Sequence, residues 1–419
     1  MKSVRQSSPP DWICLQIGPR EHYAVPRMVH AQGRLRRLLT DVWVREPAAA
    51  LLSRLPVPAA RRLAGRRCGA LPDRLVSAEP LGFFRAAAKK RLSGAAMYRA
   101  FAAEGARLSA WAALRASEDA GFVRGGCGVF SYDTTALELF QWAAGRGFSR
   151  VLGQMDPAAV ETELVREESR LWPGWQDTAA DIPDSYLRRR EAEWSAATRI
   201  VVNSEFCRSA LLAQGVPEDR LAVIPLTFDM GNPETEARPR GGSGPLRVLF
   251  LGQVNIRKGV PWLIEAARML PPGTAEITIA GPVQVSESAW RGLPANTRVV
   301  GPVPRVEAER LYRSSDVFVL PTISDGFAIT QLEALAHGLP LIVTPNCGDA
   351  VRHGIDGLRV PIRDPGAIAD AIRRFADDRS FLEQASCAAQ RRAGDFSLDA
   401  VSSRWMSLPE FQMDFKMQP

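Results

Sequence analysis

From Trp12 onward, short apolar runs alternate with longer stretches whose apolar positions recur every three to four residues, the pattern of a chain that alternates strands and helices. Strands are expected at 12–17, 38–44, 128–131, 150–155, 199–203 and 221–225. Helices are expected at 23–32, 137–146 and 205–214, and along a stretch after Asp156. Residues 46–117 are rich in Ala, Leu and Arg at helical spacing and carry few strand signals, which reads as a helical insertion. From 231 to 245, Gly, Pro and charged residues displace the apolar pattern, as in a linker. The alternation then restarts, with strands at 246–251, 276–280, 297–300, 317–320 and 341–344 and helices at 260–270, 306–314, 329–337 and 366–377.

Strands that are apolar throughout, rather than at every second position, belong to parallel sheets covered on both faces. A chain of 419 residues also exceeds one ordinary core. The fold class read from this pattern is α/β, with two doubly wound, Rossmann-like domains. The first spans 1–230, the linker 231–245 and the second domain 246–394, and a helical tail follows at 395–419. Two such units facing each other leave a cleft at the carboxyl ends of their strands, where open α/β sheets bind ligands.

Residues 321–340 place chemistry at that edge: a strand end, a polar turn, a helix and a Gly338-Leu-Pro340 stop. Gly326 lets backbone approach a ligand closely, and the turn amides and helix dipole suit a pyrophosphate. Asp325 lies in the turn and Glu333 about two helical turns later, so one carboxylate can face a sugar and the other a ribose. Residues 249–259 form a second strand and glycine turn, with Gly252 and Gln253 followed by Arg257 and Lys258 at a helix amino end. Those cations suit a leaving diphosphate. Each segment alone also fits a well-capped helix or an ordinary basic loop.

Together these segments resemble the retaining nucleotide-sugar glycosyltransferases of family 4, which have the GT-B fold. That family carries Gly-Arg-x-x-x-x-Lys-Gly and Glu-Gly-Phe-Gly-x-x-x-x-Glu-Ala-x-Ala-x-Gly-x-Pro, and the likeness extends to Asn203-Ser-Glu-Phe206, Val223-Ile-Pro225 and Gly354-Ile-Asp-Gly357. It covers residues from Arg199 onward, and the first 200 only loosely. The resemblance implies that Glu333 binds ribose hydroxyls, Asp325 the transferred sugar and Lys258 the diphosphate. Phe327, Ala328 and Ile329 would line the donor pocket. It also implies a carboxyl-terminal helix, 395–405, crossing back to the first domain. Three positions depart from the pattern: Gln253 stands for Arg, Asp325 for Glu and Ala328 for Gly. Arg257 is the candidate replacement for the missing cation. The family uses no divalent metal, and this chain has no Asp-x-Asp triplet, so neither metal nor cofactor is expected and the nucleotide sugar is a co-substrate.

In the first domain the loop after the first strand offers Gly18 as its turn, with Arg20, Glu21 and His22 as polar candidates; His22 fits a surface or capping role equally. Relatives carry a His after a later strand, where this chain has Asp156, an acceptor-side candidate that an Asp-Pro helix cap would also explain. Asp133, in the turn at 131–134, is a further acceptor-side candidate.

The net charge of +7 is uneven: residues 1–120 hold 21 Lys and Arg against 9 Asp and Glu. Arg61-Arg62 with Arg66-Arg67, and Lys89-Lys90-Arg91, suit an anionic membrane surface, a phosphorylated acceptor or a merely solvated face. Nucleic acid is disfavoured because no aromatic residues interleave with these clusters. The six cysteines are far apart and read as buried thiols. No secretory signal or membrane-spanning run is visible, so a cytoplasmic protein is expected, with peripheral contact at the inner membrane surface as its membrane option. The expected activity is transfer of a sugar from a nucleotide-diphosphate sugar to a glycan, lipid or small-molecule acceptor, in polysaccharide or cell-envelope synthesis. The alternatives are a non-catalytic nucleotide-sugar sensor or partner subunit and a nucleotide-sugar epimerase.

Overall fold

The computed structural model describes residues 11–79, 94–125, 127–176, 182–229 and 244–412. The basic cluster at 89–91 and nearly all of the expected linker lie outside these residues.

The first sheet has seven parallel strands in the order β3-β2-β1-β4-β5-β6-β7. They are β1 (Asp11–Gln16), β2 (Leu35–Thr40), β3 (Val76–Ala78), β4 (Cys127–Tyr132), β5 (Ser149–Gln154), β6 (Arg199–Val202) and β7 (Leu221–Val223). Its helices are α1 (Ala24–Ala31), α2 (Ala48–Arg54), α3 (Pro58–Ala64), α4 (Gly94–Ser117), α5 (Ala120–Gly125), α6 (Leu137–Ala144), α7 (Ala159–Leu171), α8 (Asp184–Ala196) and α9 (Glu205–Ala213). The second sheet runs β10-β9-β8-β11-β12-β13. Its strands are β8 (Leu246–Leu251), β9 (Ala275–Ala280), β10 (Thr297–Gly301), β11 (Val317–Leu320), β12 (Leu341–Val343) and β13 (Gly357–Arg359). Helices α10 (Val260–Met269), α11 (Arg305–Ser314), α12 (Ile329–Ala336), α13 (Pro365–Asp377) and α14 (Arg379–Ala393) complete that domain, and α15 (Leu398–Met406) and α16 (Pro409–Gln412) form the tail. The central strands, β4 and β11 among them, are buried on both faces, as in parallel sheets covered by helices.

Three expectations need correction. Residues 46–117 are not purely helical, because Val76–Ala78 is an edge strand that pairs parallel to β2; three residues are too few to show a periodicity. Strand β2 begins at Leu35, earlier than expected, since Arg36 and Arg37 sit at the rim, where Arg36 pairs with Asp119 at 2.6 Å. Cys387 is exposed on α14, although Cys14, Cys127, Cys207 and Cys347 are buried.

The tail closes one face of the first sheet. Trp405 meets Phe130 edge-on at 5.5 Å, and Phe411 stacks on Trp12 at 3.9 Å. Val401, Trp405, Leu408 and Phe411 thereby join the core formed by Trp12, Cys14, Leu38 and Val151. Arg199 fastens Glu410 at 3.0 Å. The second domain is also linked to the first at Phe228, whose N–H donates to the Phe396 carbonyl.

Trp405→Ala is expected to destabilise the chain by about 3–5 kcal/mol, the cost of truncating a buried large aromatic. A drop in the urea midpoint checks it.

Candidate functional site

At the carboxyl end of β8 the chain turns through residues 252–259, and at the end of β11 through 321–328. The two turns lie on each other. Gly259 has φ 71°, and a Cβ there would stand 1.8 Å from the Pro321 carbonyl oxygen, so only glycine allows the approach. The Arg257 carbonyl then accepts the Ile323 N–H at 2.8 Å and the Thr322 hydroxyl at 3.1 Å. Asn255 Oδ1 accepts the Lys258 N–H at 2.9 Å and fixes the start of α10.

This zipper brings the expected cations and carboxylate together. The Lys258 ammonium, 8% exposed, contacts Asp325 Oδ2. Burial, and then the Arg257 guanidinium, push the Lys258 pKa down to about 7, against the opposing pull of Cys347 and Glu161. Arg257 donates to the Ser324 carbonyl at 2.9 Å and to Gln253 Oε1 at 3.3 Å, so its guanidinium reaches the position where the family pattern has Arg. Glu333, half-buried on α12, accepts the Tyr312 hydroxyl at 2.8 Å. Tyr312 stacks on His337 at 5.0 Å. Burial and Glu333 raise the Tyr312 pKa well above the ordinary phenol value, so it remains a donor at neutral pH.

Two details of this loop bear on its expected role. The amides of Asp325 and Ala328 are already taken by the Asn346 and Cys347 carbonyls. The Phe327 ring is 6% exposed and packs at 5.9 Å on Phe396. Ala328 is also buried, whereas Ile329 and Gln253 reach the surface and Gly252 spends its N–H on the Ala280 carbonyl.

On the first domain, Asp133 follows β4 and Asp156 follows β5. One guanidinium joins them: Arg190, from α8 and 4% exposed at its side chain, donates to Asp133 Oδ2 at 3.1 Å and Asp156 Oδ1 at 2.5 Å. Burial works against the Asp156 carboxylate, but Arg190 and the Ala158 N–H outweigh it and hold its pKa below the usual range. Burial wins at Asp133, whose pKa is raised. Arg20 reaches Asp133 at 3.4 Å and lies over the Tyr132 ring. Asp156 therefore does two jobs, capping the Ala158 N–H at 2.8 Å and pairing with Arg190.

The loop after β1 places its candidates unequally. The Gly18 N–H donates to Asp41 Oδ1 at 2.8 Å, and Asp41 also pairs with Arg66 at 3.1 Å. Glu21, His22 and Tyr23 take φ values of 48°, 48° and 61°, a left-handed run that costs about 1 kcal/mol per residue. Glu21 holds it by accepting the Tyr132 hydroxyl at 2.8 Å and the Thr227 N–H at 3.2 Å. Its carboxylate is thus turned to the sheet and linker side, while His22 is exposed.

Both domains share the site at backbone distance. A Cβ on Gly326 would stand 2.0 Å from the Met155 carbonyl oxygen, and Asn203 Nδ2 donates to that same oxygen at 2.8 Å. Helix α7 crosses the cleft as well. Glu161 accepts Arg257 at 3.4 Å and the Ser324 hydroxyl at 3.0 Å. Glu168 accepts Trp262 at 2.8 Å and Arg363 at 2.5 Å. Glu161, Arg190, Asn203 and Tyr312 are the site residues that sequence reasoning missed. The seven-residue spacing of Glu161 and Glu168 was the available signal, since two turns put both carboxylates on one helix face. Arg190 had none, standing in a run of three arginines.

The basic character of the first domain is largely placed elsewhere. Arg36, Arg37, Arg45 and Arg115 line a cavity of about 650 Å³ with Glu118 and Asp119, and Arg36 and Arg37 lie in the amino-terminal half of β2, at the opposite end of the strand from the cleft. Among the described residues, no helix is long and apolar enough to cross a membrane and no three His, Cys, Asp or Glu side chains gather as a metal site.

Residues 245–378 match the family glycosyl transferases group 1. A relative named glycogen synthase, from Mycobacterium tuberculosis, is 34% identical over 185 residues, which is 41% of this chain and 43% of the relative. A D-inositol 3-phosphate glycosyltransferase 1 from Catenulispora acidiphila is 25% identical over 306 residues, 66% of this chain and 72% of the relative. The chain thus spans under half of the glycogen synthase. Among solved structures, sucrose-phosphate synthase from Thermosynechococcus elongatus superposes with a TM-score of 0.63 at 17% identity, covering 94% of this chain and 97% of that one. Anabaena HepE in complex with UDP superposes with a TM-score of 0.62 at 15% identity, covering 94% and 98%. These likenesses show the GT-B fold.

Gly326→Ala must part the loop from Met155 or displace Asn203, and a loss of about 1–3 kcal/mol is expected. Gly394→Ala, where an added Cβ meets nothing within 4 Å, serves as the neutral control. Urea midpoints of the two variants check the difference.

Proposed function

We propose, from the match of residues 245–378 to the glycosyl transferases group 1, that the chain is a metal-independent, retaining glycosyltransferase of the family 4 type. It transfers a sugar from a nucleoside-diphosphate sugar to an acceptor held by the first domain. The observation that carries this reading is the meeting of Lys258, Arg257 and Asp325 beside the amino end of α12, with Glu333 about one turn into that helix.

In this reading, Lys258 and Arg257 neutralise the diphosphate as it leaves and Glu333 accepts the ribose hydroxyls. Asp325 gives Lys258 up to the phosphate and turns to the sugar. Asp156 and His22 face the acceptor side with Arg20 and Asp133. The departing diphosphate oxygen takes the acceptor's proton on the face from which it leaves, so the protein's work is positioning and charge neutralisation. Arg257 reaching Gln253 supports the view that it replaces the family's missing cation. The UDP bound to HepE supports a nucleoside diphosphate as the leaving group. Relatives named as a glycogen synthase and as glycosyltransferases favour transfer over sensing or epimerisation, and support a place in polysaccharide or cell-envelope synthesis. A cytoplasmic site of action, with any membrane contact peripheral, belongs to the same proposal.

Glu333→Ala is expected to abolish transfer and weaken nucleoside-diphosphate binding by about 10- to 100-fold, the loss of hydrogen bonds to a charged group. Its thermal midpoint should stay within a few degrees of wild type. Calorimetric titration with UDP, ADP and GDP, beside an assay of acceptor-dependent nucleotide release, checks both halves. Unchanged binding and turnover would sink the assignment.

A further inference from the structure

Glu161 belongs to the first domain, yet its carboxylate lies among the second-domain groups that any diphosphate there would need. It accepts the Arg257 guanidinium at 3.4 Å and the Ser324 hydroxyl at 3.0 Å, and it feels the Lys258 ammonium. A carboxylate and a phosphate compete for the same arginine fork, because both offer paired anionic oxygens. They cannot share it without two negative groups facing each other.

We infer that Glu161 is an internal competitor for the donor's diphosphate: it holds Arg257 across the cleft and must be displaced when the diphosphate takes that cation. The inference rests on the donor-site reading above. The groups facing Glu161 come from five elements: Arg257 and Lys258 after β8, Ser324 after β11, Asp156 after β5, Tyr98 on α4 and Cys207 on α9. Burial, the largest influence, raises the Glu161 pKa above the usual carboxylate range against the pull of Arg257; Asp156 adds to the rise, while Ser324 and Lys258 oppose it. Held in this place, Glu161 therefore takes up a proton more readily than an exposed glutamate would. The exchange also runs backward. Once the sugar has left, Glu161 retakes Arg257 and helps expel the nucleoside diphosphate, a step that often limits turnover in such enzymes.

The test is the affinity of wild type, Glu161→Gln and Glu163→Gln for UDP, ADP and GDP by calorimetric titration across neutral pH. At about one unit above neutrality, Glu161→Gln is expected to bind about three- to tenfold more tightly than wild type, because the competing charge is gone. Toward acid pH this advantage should shrink, since protonated glutamate and glutamine carry the same charge. Glu163→Gln, exposed on the same helix, should match wild type throughout. Glu161→Ala gives the same reading through a different side chain should the first variant misfold. Equal or weaker binding by the Glu161 variants, or an advantage that does not vary with pH, overturns the inference and leaves the donor site standing. If wild type binds none of the three nucleotides, the donor-site reading falls and this inference with it.

Discussion

Because every strand of both sheets runs parallel, the carboxyl ends of each sheet gather at one edge, and two such domains can build a common site only where those edges meet. The contact that lets them meet is made by backbone. Gly326 brings its Cα against the Met155 carbonyl, which Asn203 also binds. Any larger residue would hold the loop after β11 away from the loop after β5 and move Lys258, Asp325 and Arg257 with it, since the zipper at Gly259 ties the two second-domain loops into one body. A shift of about 1 Å at that point is enough to spoil catalytic positioning.

Charges then have to be balanced inside the narrowed cleft. Isolated ions are too costly to bury, so each cation near the loops has a carboxylate in contact: Lys258 has Asp325, Arg257 has Glu161 and Arg190 has both Asp133 and Asp156. These pairs are poor sources of net stability, because desolvation offsets most of the attraction. Their consequence is preorganisation. On the proposed reading, a diphosphate arriving among them would exchange one anion for another and leave the cations where they are, with little reorganisation accompanying the change in charge.

What the sequence disclosed follows the range of the interactions involved. Gly326, Asp325 and Glu333 lie in one strand-turn-helix segment, and Gly252 to Lys258 in another, so local spacing revealed them. Glu161 and Arg190 act through contacts with residues 96 and 57 positions away in Arg257 and Asp133; only the seven-residue spacing to Glu168 sets Glu161 apart within α7, and nothing local marks Arg190 in α8. The packing of the Phe327 ring was hidden for the same reason: its partner Phe396 comes from the far end of the chain. Strand β3 and the early start of β2 were hidden by brevity and by two arginines whose partners are also distant. The alternation of the other elements was legible, because burial on both faces writes the central strands as largely apolar runs.

The tail and α7 act on the same cleft from opposite sides. The tail is anchored on the first sheet mainly by aromatic packing, Trp405 on Phe130 and Phe411 on Trp12, which is insensitive to ionic conditions, and its ion pair, Glu410 with Arg199, stays within the first domain's side. Helix α7 is anchored by Glu161 and Glu168, both carboxylates bonded to cations of the second domain. Only the second kind of anchor can be exchanged for a ligand anion. The asymmetry assigns the tail to keeping the domains joined and the Glu161 end of α7 to responding to what enters, while Glu168, fully buried and held by Trp262 as well as Arg363, remains as the pivot.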